Sequence, residues 1–125
     1  NRIRFIFDFN QGILNQKFID IISSATYTTD IKEPDGSTRS VTWKQSNLFV
    51  NGTRTAPENV TVIGGKTGTT DEAGACLVLY EQDSQSRPYI SIVMGAESKN
   101  ALYNTMDSLL STISGSPSES PLLYN

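Results

Sequence analysis

The sequence contains no histidine among its 125 residues. Without an imidazole, neither a Ser-His-Asp triad nor a Cys-His pair can form. A zinc site with histidine ligands is excluded for the same reason. Any hydrolytic chemistry carried out by these residues would therefore need lysine, a carboxylate or water as its base.

Cysteine and long apolar runs are almost as scarce. Cys76 is the one cysteine, so an intrachain disulfide and a thiolate cage for a metal are both excluded. No apolar run approaches the roughly 18 residues of a membrane-spanning helix, and the amino terminus lacks the pattern of a signal peptide.

Basic residues are not in excess. The chain has 10 Lys and Arg against 13 Asp and Glu, which gives a net charge of −3. This balance gives no reason to expect a nucleic-acid partner, and the absence of a Lys/Arg run argues against binding to an anionic membrane surface. With 37% hydrophobic and 18% charged residues, the composition and length are typical of one globular domain.

Two stretches have the apolar spacing of amphipathic helices. Residues 2–23 follow a helical pattern that we expect to break near Asn15, which would cap a second short helix. Residues 100–113 predict another helix, whose apolar face consists of Leu102, Met106, Leu109, Leu110 and Ile113. We expect this last helix to pack on one face of a sheet together with the first helical segment.

β-Branched and aromatic residues predict five strands. Residues 27–31 and 40–43 flank the turn sequence Glu-Pro-Asp-Gly-Ser at 33–37 and should form a hairpin. After a loop at 51–59, three further strands are predicted at 60–66, 76–82 and 89–94. Because short turns join these three strands, we expect an antiparallel sheet in chain order. The predicted fold class is α+β.

The chemically most informative stretch is Val-Ile-Gly-Gly-Lys-Thr-Gly-Thr-Thr-Asp-Glu-Ala-Gly at residues 62–74. Its Lys-Thr-Gly is one of three signatures of penicillin-binding proteins and serine β-lactamases. The motif ends a β-branched strand, and a second strand and an amphipathic helix follow in that family's order. The longer pattern Gly-Gly-Lys-Thr-Gly-x-Thr-Asp-x-Ala-Gly-x-x-Leu-Val resembles the D-alanyl-D-alanine carboxypeptidase branch. Residues 15–23 and 43–47 resemble the same branch.

This resemblance extends over nearly all of residues 6–113. It implies part of the β-lactamase/transpeptidase-like fold, an antiparallel sheet with packed helices. We therefore expect residues 1–113 to be the carboxy-terminal portion of a D-Ala-D-Ala carboxypeptidase catalytic domain. Residues 114–125 are rich in serine and proline, and we expect a linker or a disordered tail there.

The resemblance also implies roles for four residues at the strand end, and no metal or cofactor. Lys66 would place a positive charge in the cleft, and Thr67 would offer its hydroxyl to the carboxylate of the substrate. Gly68 would let the substrate approach the backbone closely. The backbone N–H of Thr69 would be one of two oxyanion-hole donors, a contact worth roughly 3–4 kcal/mol of barrier. The substrate peptide would lie antiparallel to this strand at the sheet edge.

The other two signatures of the family are missing. No serine has a lysine three residues on, so the Ser-x-x-Lys nucleophile is absent. Ser-x-Asn occurs once, at 98–100, but after Lys-Thr-Gly, whereas the family places it before; Ser98 is better interpreted as a helix cap. Some family members carry an arginine after the last strand to bind the substrate carboxylate, and Glu97 stands there instead. Lys99 is an alternative cation, although its position favours a solvated helix end.

Four other residues have structural interpretations. We expect Cys76 to be a small core residue rather than a reactive thiol. Trp43 should pack the hairpin rather than shape the cleft. Asp71 and Glu72 follow the motif closely, and we expect turn acids that bond to backbone amides rather than a second base.

Three functions are open from the sequence. The first is a fragment of a serine D-Ala-D-Ala carboxypeptidase, whose intact parent would bind peptidoglycan stem peptides and β-lactams on the outer side of a bacterial membrane or in secreted form. The second is a serine β-lactamase fragment, against which the Asp-x-Ala-Gly extension argues. The third is a non-catalytic wall-binding or assembly module. In any of these the strand at 89–94 would offer an unpaired edge, and we expect a homodimer or a higher oligomer, formed by pairing at this edge or by exchange of the first helix.

Overall fold

A computed structural model describes residues 12–114 of the chain. The elements there are α1 Gln16–Ser23, β1 Thr26–Lys32, β2 Thr38–Lys44, β3 Val60–Thr70, β4 Gly74–Asp83, β5 Pro88–Ala96 and α2 Lys99–Ser114. The fold class is α+β, as predicted. No helix within this range is long and apolar enough to cross a membrane. The predicted tail beyond Ser114 lies outside the described residues.

A three-stranded antiparallel sheet forms the centre of the described structure. Its strands lie in the order β3-β4-β5, which confirms the predicted order and direction. β3 continues beyond the Lys-Thr-Gly motif to Thr70. In this register Lys66 lies opposite Val78 and Thr67 lies opposite Leu77. Because side chains alternate along a strand, these two neighbours in the motif point to opposite faces of the sheet.

One face of this sheet is covered by α2. The hydroxyl of Ser98 accepts a hydrogen bond from the backbone N–H of Ala101 at 3.1 Å, which confirms the predicted cap. The apolar stripe of α2 packs against alternate residues of the sheet and builds the larger core. This core contains Phe49, Val60, Ala75, Leu77, Leu79, Val93, Leu102, Tyr103, Met106 and Leu110.

The opposite face carries α1, so the prediction that both helices share a face is wrong. Asn15 caps α1 as predicted, because its Oδ1 accepts a hydrogen bond from the backbone N–H three residues on at 3.2 Å. Ile22 of α1 packs on Val78. Val78 and Leu77 face opposite sides of β4, and each apolar side needs its own cover. Residues 2–11 of the predicted first helix lie outside the described range.

The strands β1 and β2 form a separate two-stranded hairpin, as predicted. Its turn is fixed by Asp35, whose Oδ1 accepts a hydrogen bond from the backbone N–H of Ser37 at 2.9 Å. Gly36 in the same turn has a φ of +85°, a conformation that suits glycine. At the other end, the side chain of Gln45 donates to the carbonyl oxygen of Ile22 at 3.2 Å and ties the hairpin to α1.

The segment 45–59, which connects the hairpin to β3, is held against α2. The backbone N–H of Leu48 donates to the hydroxyl of Tyr103 at 3.0 Å. Arg54 Nε donates to Asp107 Oδ2 at 2.8 Å. These bonds fix the path of the connection past the edge of the sheet, next to the Lys-Thr-Gly strand.

Candidate functional site

The Lys-Thr-Gly motif lies in β3, at an edge of the sheet. β3 pairs with β4 on one side, and no strand pairs with its other side among residues 12–114. Lys66, Gly68 and Thr69 are exposed and Thr67 is half-buried. The fold thus brings the four site residues predicted from the sequence to one accessible strand end.

The side chains of Lys66 and Thr67 have different surroundings. Lys66 Nζ, on the α1 face, donates a hydrogen bond to the backbone carbonyl oxygen of Thr67. The Thr67 hydroxyl, on the α2 face, lies 2.7 Å from the hydroxyl of Ser46. Ser46 was not predicted as a site residue from the sequence. The one feature that could have indicated it is its place in the family-like stretch at 43–47. A ligand lying along the edge would reach groups from both faces.

The three glycines of β3 differ in whether the surrounding structure leaves room for a side chain. A Cβ on Gly65 would lie 2.3 Å from the carbonyl oxygen of Val78, and one on Gly64 would lie 2.7 Å from Cγ1 of Ile22. The close approach of α1 and β4 therefore requires both. A Cβ on Gly68 would meet no atom within 4 Å. Nothing in the described structure requires glycine there, and the backbone beside it is open to a ligand.

A cavity flanks the motif strand on each face of the sheet. The larger, of about 520 Å³, lies between the end of β3 and the start of α2, and its lining includes Thr67, Thr69 and Tyr103. The smaller, of about 250 Å³, is lined by Lys66, Gly68 and residues of β4 and β5. Thr67 and Thr69 border both cavities, whereas Lys66 borders only the smaller one.

Charged side chains of both signs line the larger cavity. Glu97, Ser98 and Lys99 border it from the start of α2, and Asp71 borders it from the β3–β4 turn. All four are exposed. Lys99 therefore supplies a cation at this cavity, two positions after the acidic Glu97.

The nearby residues with structural interpretations need two corrections. Cys76 is half-buried with its Sγ 3.4 Å from the carbonyl oxygen of Ala73, and it borders both cavities rather than lying in the core. In the β3–β4 turn, the hydroxyl of Thr70 accepts the hydrogen bond from the backbone N–H of Ala73 at 2.9 Å. We expected Asp71 or Glu72 to accept backbone hydrogen bonds in this turn. For the N–H of Ala73 that expectation is wrong, because Thr70 is the acceptor.

Trp43 packs across the hairpin, as expected. Its ring is stacked on that of Tyr27, with the centroids 6.3 Å apart and the planes 18° from parallel. Both side chains nevertheless remain largely exposed, so this contact does not belong to a core.

The arrangement at the strand edge suits binding of an extended peptide. Backbone groups of β3, two threonine hydroxyls and a lysine can bond to a peptide and its carboxylate. Among residues 12–114 no group of three or more His, Cys, Asp or Glu side chains could hold a metal ion. No serine of the sequence stands three residues before a lysine. The groups at this edge can therefore bind a ligand, and no Ser-x-x-Lys motif accompanies them in the sequence.

Comparison with known families decides which kind of protein carries this strand edge. The sequence model of the peptidase S11 family, D-alanyl-D-alanine carboxypeptidase, matches residues 12–98. The chain belongs to this family. The match runs from before α1 to the end of β5, so it includes the hairpin, the Lys-Thr-Gly strand and the whole central sheet.

A solved structure of a DD-transpeptidase has a similar fold. It is an arginine-to-leucine variant of the Streptomyces K15 DD-transpeptidase, with a TM-score of 0.65 and 26% sequence identity. The alignment covers 80% of this chain and 36% of that chain, so the carboxypeptidase-family chain described here spans little more than a third of that relative. No curated protein matches the chain. The family and the fold expected from the Lys-Thr-Gly context are both confirmed.

Proposed function

We propose that this chain is the substrate-binding part of a penicillin-binding serine D-Ala-D-Ala carboxypeptidase that trims peptidoglycan stem peptides. The observation that carries the proposal is the open edge of β3, where Lys66, Thr67 and Gly68 border space that the fold itself does not fill. Family membership supplies the class of reaction. The proposed substrate lies outside the cytoplasmic membrane, so an extracytoplasmic location follows from the proposal.

The nucleophile of the proposed reaction belongs to a segment outside this chain. In the intact parent, the oxygen of a serine attacks the carbonyl carbon before the terminal D-alanine. A bond from carbon to the serine oxygen forms, the carbon–nitrogen bond breaks, and the departing amine takes a proton. Water then hydrolyses the acyl-serine and frees the shortened peptide. A penicillin acylates the same serine.

The residues of this chain bind and orient the stem peptide. The peptide adds to the free edge of β3 through backbone hydrogen bonds. Thr67 donates its hydroxyl to the terminal carboxylate, and Lys66 supplies the positive charge that favours an anionic substrate. The backbone N–H of Thr69 donates to the oxyanion, which is worth roughly 3–4 kcal/mol of barrier. Gly68 leaves room for the acyl group.

Labelling with a fluorescent penicillin tests this proposal. The 125-residue chain alone should not become labelled, because it offers no activated serine. A full-length parent that carries it should be labelled. In that parent, Lys66→Ala and Thr67→Ala should each slow acylation at least about tenfold, as expected for loss of a charged hydrogen bond, without a change in unfolding midpoint.

The matched control is Lys17→Ala, which removes an exposed lysine of α1 and should leave the acylation rate unchanged. Unchanged rates in both Lys66→Ala and Thr67→Ala would remove the β3 edge from the site. A labelled serine in the isolated chain would contradict the assignment of the nucleophile to another segment.

A second candidate function is a non-catalytic wall-binding module. The missing Ser-x-x-Lys motif favours it for the chain taken by itself. Cosedimentation of the isolated chain with purified peptidoglycan, together with failure of the parent to react with penicillin, would support this alternative over the enzyme.

A further inference from the structure

The β1–β2 hairpin has one polar face and one face with apolar and aromatic side chains. Directly opposite residues in the register share a face. Tyr27 pairs with Trp43, and Thr29 pairs with Val41, so these four lie on the same side. The opposite side carries polar pairs such as Thr28 with Thr42, whose hydroxyls are 2.7 Å apart.

The aromatic pair at the base of this hairpin is not used by the core. Tyr27 is 63% exposed and Trp43 is 49% exposed, and neither contributes to the two apolar clusters of the described residues. Their rings lie 18° from parallel with centroids 6.3 Å apart. This stacked pair leaves part of each ring open to solvent, and exposed apolar surface of this kind marks an interaction site more often than scattered single residues do.

This surface lies close to the Lys-Thr-Gly edge along the chain. Gln45 and Ser46 follow β2 directly, and the Ser46 hydroxyl lies 2.7 Å from the hydroxyl of Thr67. Ser46 stands three positions after Trp43, a span of at most about 10 Å in extended chain. The backbone N–H of Gln45 also donates to the carbonyl oxygen of Ala25 at 2.8 Å, which holds the base of the hairpin in place beside the cleft.

The chemistry of the pair favours a sugar as its occupant. The ring faces are apolar and uncharged and suit the flat C–H face of a pyranose, while the Tyr27 hydroxyl and the Trp43 indole N–H can bond to sugar hydroxyls at the rim. A patch of two rings is small for a protein interface, which needs about 800 Å² from each partner. The face does not carry the cluster of basic residues that would bind an anionic membrane.

We propose that Tyr27 and Trp43 form a saccharide-binding platform that holds the glycan strand of peptidoglycan while its stem peptide occupies the β3 edge. This inference rests on the proposed function for its choice of polymer. It assigns the hairpin a role in recognising the glycan strand that carries the stem peptide. This role is separate from recognition of the D-Ala-D-Ala terminus.

The sole tryptophan of the sequence is Trp43, so its fluorescence reports on the platform alone. Titration of the 125-residue chain with peptide-free oligomers of N-acetylglucosamine should shift the emission to the blue and protect Trp43 from acrylamide quenching. Tyr27→Ala should weaken the binding about three- to tenfold, the equivalent of one lost aromatic contact. Tyr27→Phe should retain at least part of it.

Two variants separate the platform from the peptide site. Lys44→Ala removes a charge from the polar face of the same hairpin and should leave glycan binding unchanged. Lys66→Ala should also leave it unchanged, because the probe has no peptide, so the result does not depend on whether the β3 edge binds D-Ala-D-Ala. Equal binding by Tyr27→Ala and the unaltered chain would overturn the proposal. A blue shift with vesicles of anionic lipid, but none with the oligosaccharide, would identify a membrane contact and would also overturn it.

Discussion

At the scale of single residues, the described structure separates side chains that the fold requires from those it leaves available. Glycine shows the distinction within one strand. Gly64 and Gly65 allow α1 and β4 to approach β3, whereas Gly68 faces open space. The contrast yields a prediction in which two substitutions of the same chemistry, three positions apart, have opposite consequences.

Gly65→Ala should destabilise the chain by about 3 kcal/mol or more, because its methyl group would lie 2.3 Å from the carbonyl oxygen of Val78 and force the backbone apart. Gly68→Ala should change the unfolding free energy by less than about 0.5 kcal/mol. In the parent, Gly68→Ala should still slow penicillin acylation. Urea unfolding measures the first two, and equal stability of both variants would contradict the packing described for β3.

A buried acid in β4 gives a second prediction at this scale. Glu81 is fully buried, its Oε1 accepts a hydrogen bond from the Ser91 hydroxyl, and its Oε2 has no partner among the described residues. Burial raises the pKa of Glu81 to about 8 from its ordinary 4.5, and the bond from Ser91 offsets this only in part. Between pH 4.5 and about 8, the folded chain therefore keeps a proton on Glu81 that the unfolded chain releases.

The stability contributed by protonated Glu81 is complete below pH 4.5, declines as the pH rises and is lost once the pH passes about 8. Glu81→Gln keeps a neutral side chain at every pH. The variant should therefore gain stability relative to the unaltered chain as the pH rises from 5 to 8, by roughly 2–5 kcal/mol. The control Glu72→Gln, at an exposed turn position, should show no such trend. Urea unfolding at a series of pH values would measure the unfolding free energy of each protein. If this free energy changed with pH in the same way for Glu81→Gln and the unaltered chain, Glu81 would be ionised in the fold.

At the scale of elements, the two helices stabilise the sheet from opposite faces and to different degrees. The larger core lies under α2, where Met106 and Leu110 are fully buried. The cluster under α1 is smaller, and Ile22 is its buried helical residue. Ile21, one position earlier, is 64% exposed. The stability of the sheet should depend most strongly on α2.

Met106→Ala should lower the unfolding free energy by about 2–5 kcal/mol, because it leaves a cavity in a close-packed core. Ile21→Ala removes a similar apolar volume from an exposed position and should change it by less than about 0.5 kcal/mol. Thermal unfolding monitored by circular dichroism would measure both. Equal losses would show that the exposed side of α1 is covered in the folded chain.

At the scale of the whole molecule, the sheet has two edge strands within the described residues, β3 and β5. β5 pairs only with β4 among residues 12–114, and it carries the partly exposed Ile90 and Ile92 and the exposed Met94. A strand edge of this kind is a template for pairing with another chain. We propose that the isolated chain forms a homodimer through β5.

Light scattering should therefore report a dimer or a larger assembly at high micromolar concentration. Met94→Lys places a charge beside the edge and should shift the equilibrium towards monomer. Ile21→Lys adds the same charge on exposed α1, away from the edge, and should not. A monomer for the unaltered chain at that concentration would show that the edge is protected.

Much of this organisation could be predicted from local pattern. The hairpin followed from a turn sequence between two β-branched runs, the three strands from their composition and short turns, and both helix caps from Asn15 and Ser98. Lys-Thr-Gly and its extension indicated the family because the motif stands at a strand end in the right order of elements. These features depend on residues close together in sequence, so the sequence by itself determined them.

Other features depend on contacts between distant segments, and only the tertiary structure decided them. Alternation along β4 gives it two apolar faces, but the sequence did not reveal that α1 and α2 would cover one each. The contact between Ser46 and Thr67 joins residues 21 apart in sequence, and the need for glycine at position 65 arises from the carbonyl of Val78. The distinction between Gly65 and Gly68 is likewise invisible in the sequence, because it is the neighbouring backbone, brought close by strand pairing, that makes one glycine a requirement and leaves the other beside open space.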